Sequence, residues 1–317
     1  MILIVGSNLD RTIIHTVKTA NRLNIPFCFF DLYKFAVLGN YFWDYRSHTG
    51  HFGYKDIEYK FPNSEITGIY SRIINVFYNT TGRKNRLLGS RVQALAEILS
   101  DLRGMNVVNR DTDFSNSSKL YQLYILSQCG FLVPNSLLTN NPYMTRSFIK
   151  GKDVVYKAAS SEKTITSIYT KAQSSRLSLL KNSPVLFQER IKGFDVRTHL
   201  IGSEFYSEKI ETDVVDYRFD SGQKEFSALD IPKSIEKKCL EYQKLSGVDF
   251  IGFDFKVKDT GEYFVLEANL MPGYDTYDKR LKYRISRALL KFLGKLELTN
   301  SHNRHIKFGF DENAIQN

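Results

Sequence analysis

Residues 249–273 read DFIGFDFKVKDTGEYFVLEANLMPG. GFDFKVK and EYFVLEA are rich in Phe, Tyr and Val, which pack well on a pleated sheet. Asp259-Thr260-Gly261-Glu262 between them is turn chemistry. A turn centred between Thr260 and Gly261 sets Asp254 directly opposite Glu267. Asn269, two residues further on, shares the face of Glu267. A three-residue turn would instead shift the pairing by one and part the two acids. Facing carboxylates repel unless a cation lies between them. Two carboxylates and an amide oxygen suit a hard divalent cation, and Mg2+ completes its shell with water and nucleotide phosphates. The expectation is a hairpin presenting Asp254, Glu267 and Asn269 to Mg2+. The plainer alternative is a solvated edge hairpin with scattered acids.

The 317 residues leave room for one large or two to three small domains. Hydrophobic content of 42% and charged content of 25% fit a well-folded protein. No apolar run reaches the roughly 18 residues that suggest a spanning helix. The start, MILIVGSNLD, lacks a basic n-region and reads as a buried strand, not a signal peptide. Cys28, Cys129 and Cys239 match no zinc spacing and suit a reducing, cytoplasmic setting. A net charge of +10 and a pI near 9.3 call for an anionic partner. The basic residues are dispersed, with no run of five. Nucleic acid, which asks for a concentrated basic stripe, is the weaker candidate.

Residues 1–110 read as a first α/β domain. ILIVG and FCFFDL are apolar strands around a helix ending near Leu23, capped by Asn8 or Asp10. The turn Gly6-Ser7-Asn8-Leu9 is no dinucleotide fingerprint. Residues 41–61 read as one hairpin with a turn at 47–50, ITGIYSRI as a strand and 87–102 as a helix. In the second unit, Ser115–Ser118 form a cap cluster before the helix KLYQLYILSQCG, which stops at Gly130. Strands are expected at 153–158, 165–170 and 185–191, helical spacing at 171–181, and a strand pair across 194–212 around Gly202. A helix at 232–246, capped by Gly247, precedes the acidic hairpin. A basic helix at 279–293 follows it, then a polar tail from 297 to 317.

The order of motifs from about 105 to 293 resembles the ATP-grasp superfamily, in its RimK-like peptide-ligase branch. That branch includes enzymes that add glutamate to a ribosomal protein and the graspetide (microviridin-type) synthetases. The pieces are NRDTDFSNSSKLYQL, GFLVPNSLLTN, VVYKAASS, VLFQERIKGFDVRTHLIG, DVVDYRF, GVDFIGFDF and VLEANLMPG. The resemblance implies an α/β (α+β) ATP-grasp fold. A pre-ATP-grasp domain (1–110) would precede a small subdomain (111–188), a catalytic subdomain (189–296) and the tail.

It also implies roles. Lys119 and Lys157 would hold nucleotide phosphates, as flexible point charges do. The backbone of Gln188, Glu189, Arg190 and Ile191 would read the adenine edge, with the Glu189 and Asp195 carboxylates on the nucleotide side. Arg197 would lie beside the transferred phosphate, where a guanidinium fork fits its oxygens. Arg218 resembles a basic residue beyond the matching strands in related peptide ligases. The phosphate-covering loop is glycine-rich in many relatives. Here it is Ala159–Thr164, where Ser160 and Lys163 would take that part.

The implied chemistry joins a carboxylate to an amine or alcohol through an acyl phosphate, on an acidic peptide or protein. ATP is consumed with Mg2+, two ions being expected and Mn2+ able to substitute. A dimer or tetramer is the expected assembly, with no membrane partner. The alternatives are a ligase of a small amino acid or metabolite, a small-molecule kinase on the same fold, and a non-catalytic ATP- or nucleic-acid-binding protein.

Overall fold

The computed structural model describes residues 1–74, 82–110, 119–159, 166–212 and 224–295. They group into two units, Met1–Val107 with the residues from Ser286 onward, and Val108–Ile285.

In the first unit the apolar run ILIVG becomes β1 (Ile2–Gly6), fully buried. Asp10 caps α1 (Arg11–Arg22) by accepting the Thr12 amide N–H, and β2 (Phe27–Asp31) runs parallel to β1. Helix α2 (Leu32–Leu38) follows, then a meander of β3 (Gly39–Asp44), β4 (Thr49–Tyr54) and β5 (Ile57–Phe61). The single hairpin expected over 41–61 is thus three strands. Its second turn lies at Lys55-Asp56, where Lys55 takes a left-handed φ of 51°. β6 (Gly68–Ser71) pairs parallel to β1, and α3 (Arg83–Asp101) and β7 (Val107–Val108) complete the order β2-β1-β6-β7. Phe30, Phe35, Phe52, Val92, Leu95 and Leu99 form the core.

The second unit opens with α4 (Lys119–Gln128); the expected cap cluster lies outside the described residues. Next come β8 (Ser136–Thr139), α5 (Pro142–Ile149), β9 (Val154–Ala158), β10 (Ser167–Ile168) and β11 (Val185–Glu189). These strands form a sheet of order β10-β9-β11-β8. The helical spacing at 171–181 is a 3-10 helix, Lys171–Asn182. Its buried Leu177 and Leu180 are three residues apart, the interval at which a 3-10 helix stacks side chains. They pack with Val154 and Phe187 on one face of this sheet.

The second sheet of this unit has order β14-β13-β12-β15-β16, antiparallel throughout. Its strands are β12 (Phe194–Ile201), β13 (Glu204–Glu211), β14 (Glu225–Leu229), β15 (Phe250–Val257) and β16 (Tyr263–Asn269). Between β14 and β15, α6 (Lys233–Ser246) ends at Gly247 in the left-handed region, as expected. Val196, Leu200, Phe253, Phe255, Val265 and Ala268 share a core with Cys239 and Tyr242 of α6 and Leu126 of α4.

The basic helix expected at 279–293 is two helices, α7 (Asp275–Arg280) and α8 (Arg284–Gly294). Lys282 and Tyr283, at φ 55° and 62°, break it. The second unit ends at Ile285, whereas the expected subdomain ran to 296.

Candidate nucleotide and metal site

The acidic hairpin reaches the expected pairing by an unexpected route. Gly261 donates its N–H to the Lys258 carbonyl and Lys258 donates to Glu262, with Gly261 at φ 85°. This is a three-residue loop closed by a left-handed glycine. Beside it, Val257 faces Tyr263 and Phe255 faces Val265. Continued, that register would set Asp254 against Leu266 and send Glu267 to the other face. A β-bulge intervenes between Asp254 and Phe255, and Asp254 faces Glu267. Strand β16 carries one extra residue, Leu266, and that residue turns Glu267 back to the face of Asp254. Gly252 faces Asn269, so the pleat sets Asn269 on that same face. The Asn269 carboxamide oxygen accepts the Met271 N–H at 2.9 Å. The Gln122 carboxamide clasps the neighbouring backbone, donating to the Ala268 carbonyl at 2.7 Å and accepting its N–H at 3.0 Å.

Across the sheet, Glu208, Arg197, Asp254 and Glu267 form one row on β13, β12, β15 and β16. Arg197, whose side chain is 5% exposed, donates from Nη1 to Asp254 Oδ2 at 2.6 Å. Its Nε donates to Nε2 of His199 at 3.4 Å, and its guanidinium lies over the Tyr277 ring at 5.6 Å. Burial first, and then the Arg197 charge, hold the His199 pKa well below the ordinary histidine value. The ring is therefore neutral and free to accept. Gly252 makes the space for this arrangement. A Cβ there would meet Arg197 Nη2, would stand 2.7 Å from Cζ, and would crowd Pro272 Cβ at 2.8 Å.

Asp195 and Arg197 share a face, but each finds its partner on β15. Lys256 donates to Asp195 at 2.9 Å, as Arg197 does to Asp254. Their spacing on one strand face would also allow a mutual Asp195–Arg197 ion pair, but these cross-strand pairs are the arrangement formed. Glu208 in turn holds Arg280 of α7 by two contacts of 2.7 Å.

A cleft within this unit joins that face to the smaller sheet. Lys157, Val155 and Gln188 line one side of it, and Asp195, Asp254, Lys256 and Glu267 the other, with 189–191 between. Lys157 faces Leu186 and Val155 faces Gln188. The pleat thus turns Lys157 and Gln188 to the cleft while Tyr156 and Phe187 go to the apolar face. The Glu189 carboxylate lines the cleft and accepts from Asn135 Nδ2 at 3.0 Å. The amides of Glu189 and Arg190 donate to the Asn135 and Asp153 carbonyls, so Ile191 follows two amides already bonded. Lys119 begins α4. Ser160, Lys163 and Arg218 lie outside the described residues.

The structure therefore brings together Lys157, 188–191, Asp195, Asp254 and Glu267. The sequence reading passed over Gly252, Lys256, Glu208, His199, Tyr277 and Arg280. Gly252 and Lys256 were accessible to the alternation rule, being two residues either side of Asp254. Glu208 follows from pairing 194–212 about Gly202. The helix residues Tyr277 and Arg280 carry no comparable signal. The donor set fits a hard divalent cation, with two facing carboxylates and an amide oxygen on one sheet face. Among the described residues no group of three or more His, Cys, Asp or Glu is placed to hold a metal ion, so the hairpin offers two carboxylates with an amide oxygen as the third donor.

No protein-family model and no curated protein matches the chain in sequence. Its fold is that of solved ATP-grasp ligases. PsnB, complexed with a phosphomimetic variant of its minimal precursor, Mg and ADP, is 24% identical. It has a TM-score of 0.78 over 92% of this chain and 97% of its own. The macrocyclase MdnC from Microcystis aeruginosa MRC, bound with precursor peptide MdnA, is 21% identical, with a TM-score of 0.76 over 93% and 99%. A RiPP-associated ATP-grasp ligase of Chryseobacterium gregarium, in complex with ADP and a leader and core peptide, is 19% identical, with a TM-score of 0.74 over 93% and 96%.

Proposed function

We propose that this protein is an ATP-dependent ligase that joins a carboxylate to an amine or hydroxyl on a peptide. The observation that carries the reading is the facing pair Asp254 and Glu267 on the floor of a cleft whose opposite wall presents Lys157. Two acids with a cation between them and a lysine aimed from a rigid strand suit a metal-bound triphosphate. Solved structures of this fold hold precursor peptides, ADP and Mg, and they support the substrate class.

In this reading a substrate carboxylate oxygen attacks the γ-phosphorus of ATP, ADP leaves, and an acyl phosphate forms. An amine or hydroxyl then attacks the acyl carbon, phosphate leaves, and the nucleophile loses its proton. Asp254, Glu267 and Asn269 would hold Mg2+, which when bound neutralises charge on the β- and γ-phosphate oxygens. Lys157 holds phosphate, with Lys119, Ser160 and Lys163 in the same role. Adenine is met at 188–191, where Ile191 offers the amide that follows two already bonded ones. Glu189 faces the ribose side, and Asp195, tied to Lys256, fixes that wall. Arg197 stabilises the transferring phosphoryl group and shares Asp254 with the metal, while Arg218 serves the acyl centre.

The substrate is an acidic peptide, matched to the charge of +10. The setting is cytoplasmic and the assembly a dimer or tetramer. No described helix is long and apolar enough to cross a membrane. The test supplies ATP, Mg2+ and Glu/Asp-rich peptides that also carry Thr, Ser or Lys. The expected result is ADP and phosphate in step with a peptide product lighter by one water per bond. ATP consumption with no change in peptide mass would contradict the reading.

A further inference from the structure

Arg197 has two carboxylates directly opposite it, Glu208 on β13 and Asp254 on β15. Glu208 is the more buried, its side chain 2% exposed against 29% for Asp254. Charge attraction strengthens as water is excluded, so left alone Glu208 would be the stronger partner. Yet Arg197 Nη1 goes to Asp254. The reason stands on α7. Arg280 engages both oxygens of Glu208, Nε to Oε1 and Nη2 to Oε2, each at 2.7 Å. This fork-on-fork pairing is the strongest geometry available to a carboxylate. Its guanidinium also lies over two rings, 3.9 Å from the Phe226 centroid and 5.1 Å from that of Tyr277. Tyr277 also lies under Arg197. One short helix therefore occupies the competing acid and supports the arginine that the competition would divert.

We infer that Arg280 is a positioning residue: by sequestering Glu208 it aims Arg197 at Asp254 and the cleft. The activity consequence rests on the ligase reading above, whereas the aim of Arg197 does not.

The test compares Arg280→Gln, Glu208→Gln/Arg280→Gln and Arg280→Lys in the full chain. Mn2+ alone is titrated by electron paramagnetic resonance, and ATP turnover is measured separately. In Arg280→Gln the freed Glu208 captures Arg197 and Asp254 loses its organic cation. Mn2+ should then bind several-fold more tightly than to wild type, while turnover falls by about 10-fold or more with little change in KM for ATP. A merely structural lesion would weaken both. The double variant leaves no spare carboxylate, so turnover should return to within about 3-fold of wild type. Arg280→Lys keeps the charge and should lose little, which also covers the event that Arg280→Gln does not fold. The inference is overturned if the double variant is as impaired as the single one, or if Mn2+ affinity falls in Arg280→Gln. If wild type consumes no ATP with any peptide, the ligase reading fails, and the Mn2+ titration still decides the role of Arg280.

Discussion

Gly252→Ala should disable the site through a single methyl group. Its backbone is ordinary strand, so alanine is conformationally welcome there and would by itself add about 0.5–1 kcal/mol of stability. The methyl instead meets Arg197. At 2.7 Å from Cζ it stands inside the 3.4 Å of ordinary contact, and Pro272 at 2.8 Å closes the other side. The guanidinium must retreat on the order of 1 Å, enough to break its 2.6 Å bond to Asp254. Losing a charge-assisted hydrogen bond costs about 1.5–3 kcal/mol, so the net loss of stability is about 1–2 kcal/mol. That corresponds to a fall of a few degrees in Tm for a unit of this size. A misplacement on the order of 1 Å at a reacting centre costs about 100-fold in turnover. The assays are thermal unfolding and steady-state ATP turnover, each repeated in an Arg197→Met background. There the methyl meets no guanidinium and only the 2.8 Å contact with Pro272 remains, so the penalty should be clearly smaller. An equal penalty in both backgrounds would show that the glycine serves Pro272 or the backbone, and the argument from Arg197 would fail.

Glu267→Gln should keep the fold and abolish ATP turnover, since it removes one of two facing charges; circular dichroism and ADP release check the two halves. Arg197→Lys retains charge and loses the fork. Turnover should drop about 100-fold with ATP affinity nearly unchanged, as read by kinetics beside direct binding; weakened binding with intact turnover would make Arg197 a ground-state contact. His199 is held neutral by burial and faces Arg197, Arg280 and Tyr277. Its folded pKa lies below 6.5, so its contribution is complete above pH 6.5 and lost as pH falls from there toward the folded value. Denaturant unfolding of His199→Phe should show a shallower pH dependence below 6.5, by at most about 1.4 kcal/mol per pH unit.

The facing acids were legible because a strand alternates and an antiparallel pair has a register. The reason first attached to them was incomplete. The hairpin loop has three residues, which alone would have sent Glu267 to the core face, and the bulge at Leu266 cancels that shift. Nothing in VLEAN marks Leu266 as the extra residue, because its apolar side chain fits either face. The strand pair about Gly202 and the helix stop at Gly247 were readable because turns and caps are local chemistry. The partners of Asp195 and Arg197 were not. Choosing between an opposite charge two residues away and one on the next strand requires the neighbouring strand β15. Arg280 was hidden for a similar reason. Periodicity ran α7 and α8 together, while the left-handed Lys282 and Tyr283 part them and α7 reaches the sheet through Arg280 on Glu208.

A crystal grown with Mn2+ and a non-hydrolysable ATP analogue tests whether the hairpin is a metal site. Anomalous scattering should place Mn2+ between Asp254 and Glu267, with ligand distances near those of Mg2+, about 2.0–2.1 Å. Asn269 should lie in the shell and the adenine against 188–191. Mn2+ and nucleotide bound elsewhere, such as beside Gly6 in the first unit, with Arg197 still on Asp254, would contradict the assignment.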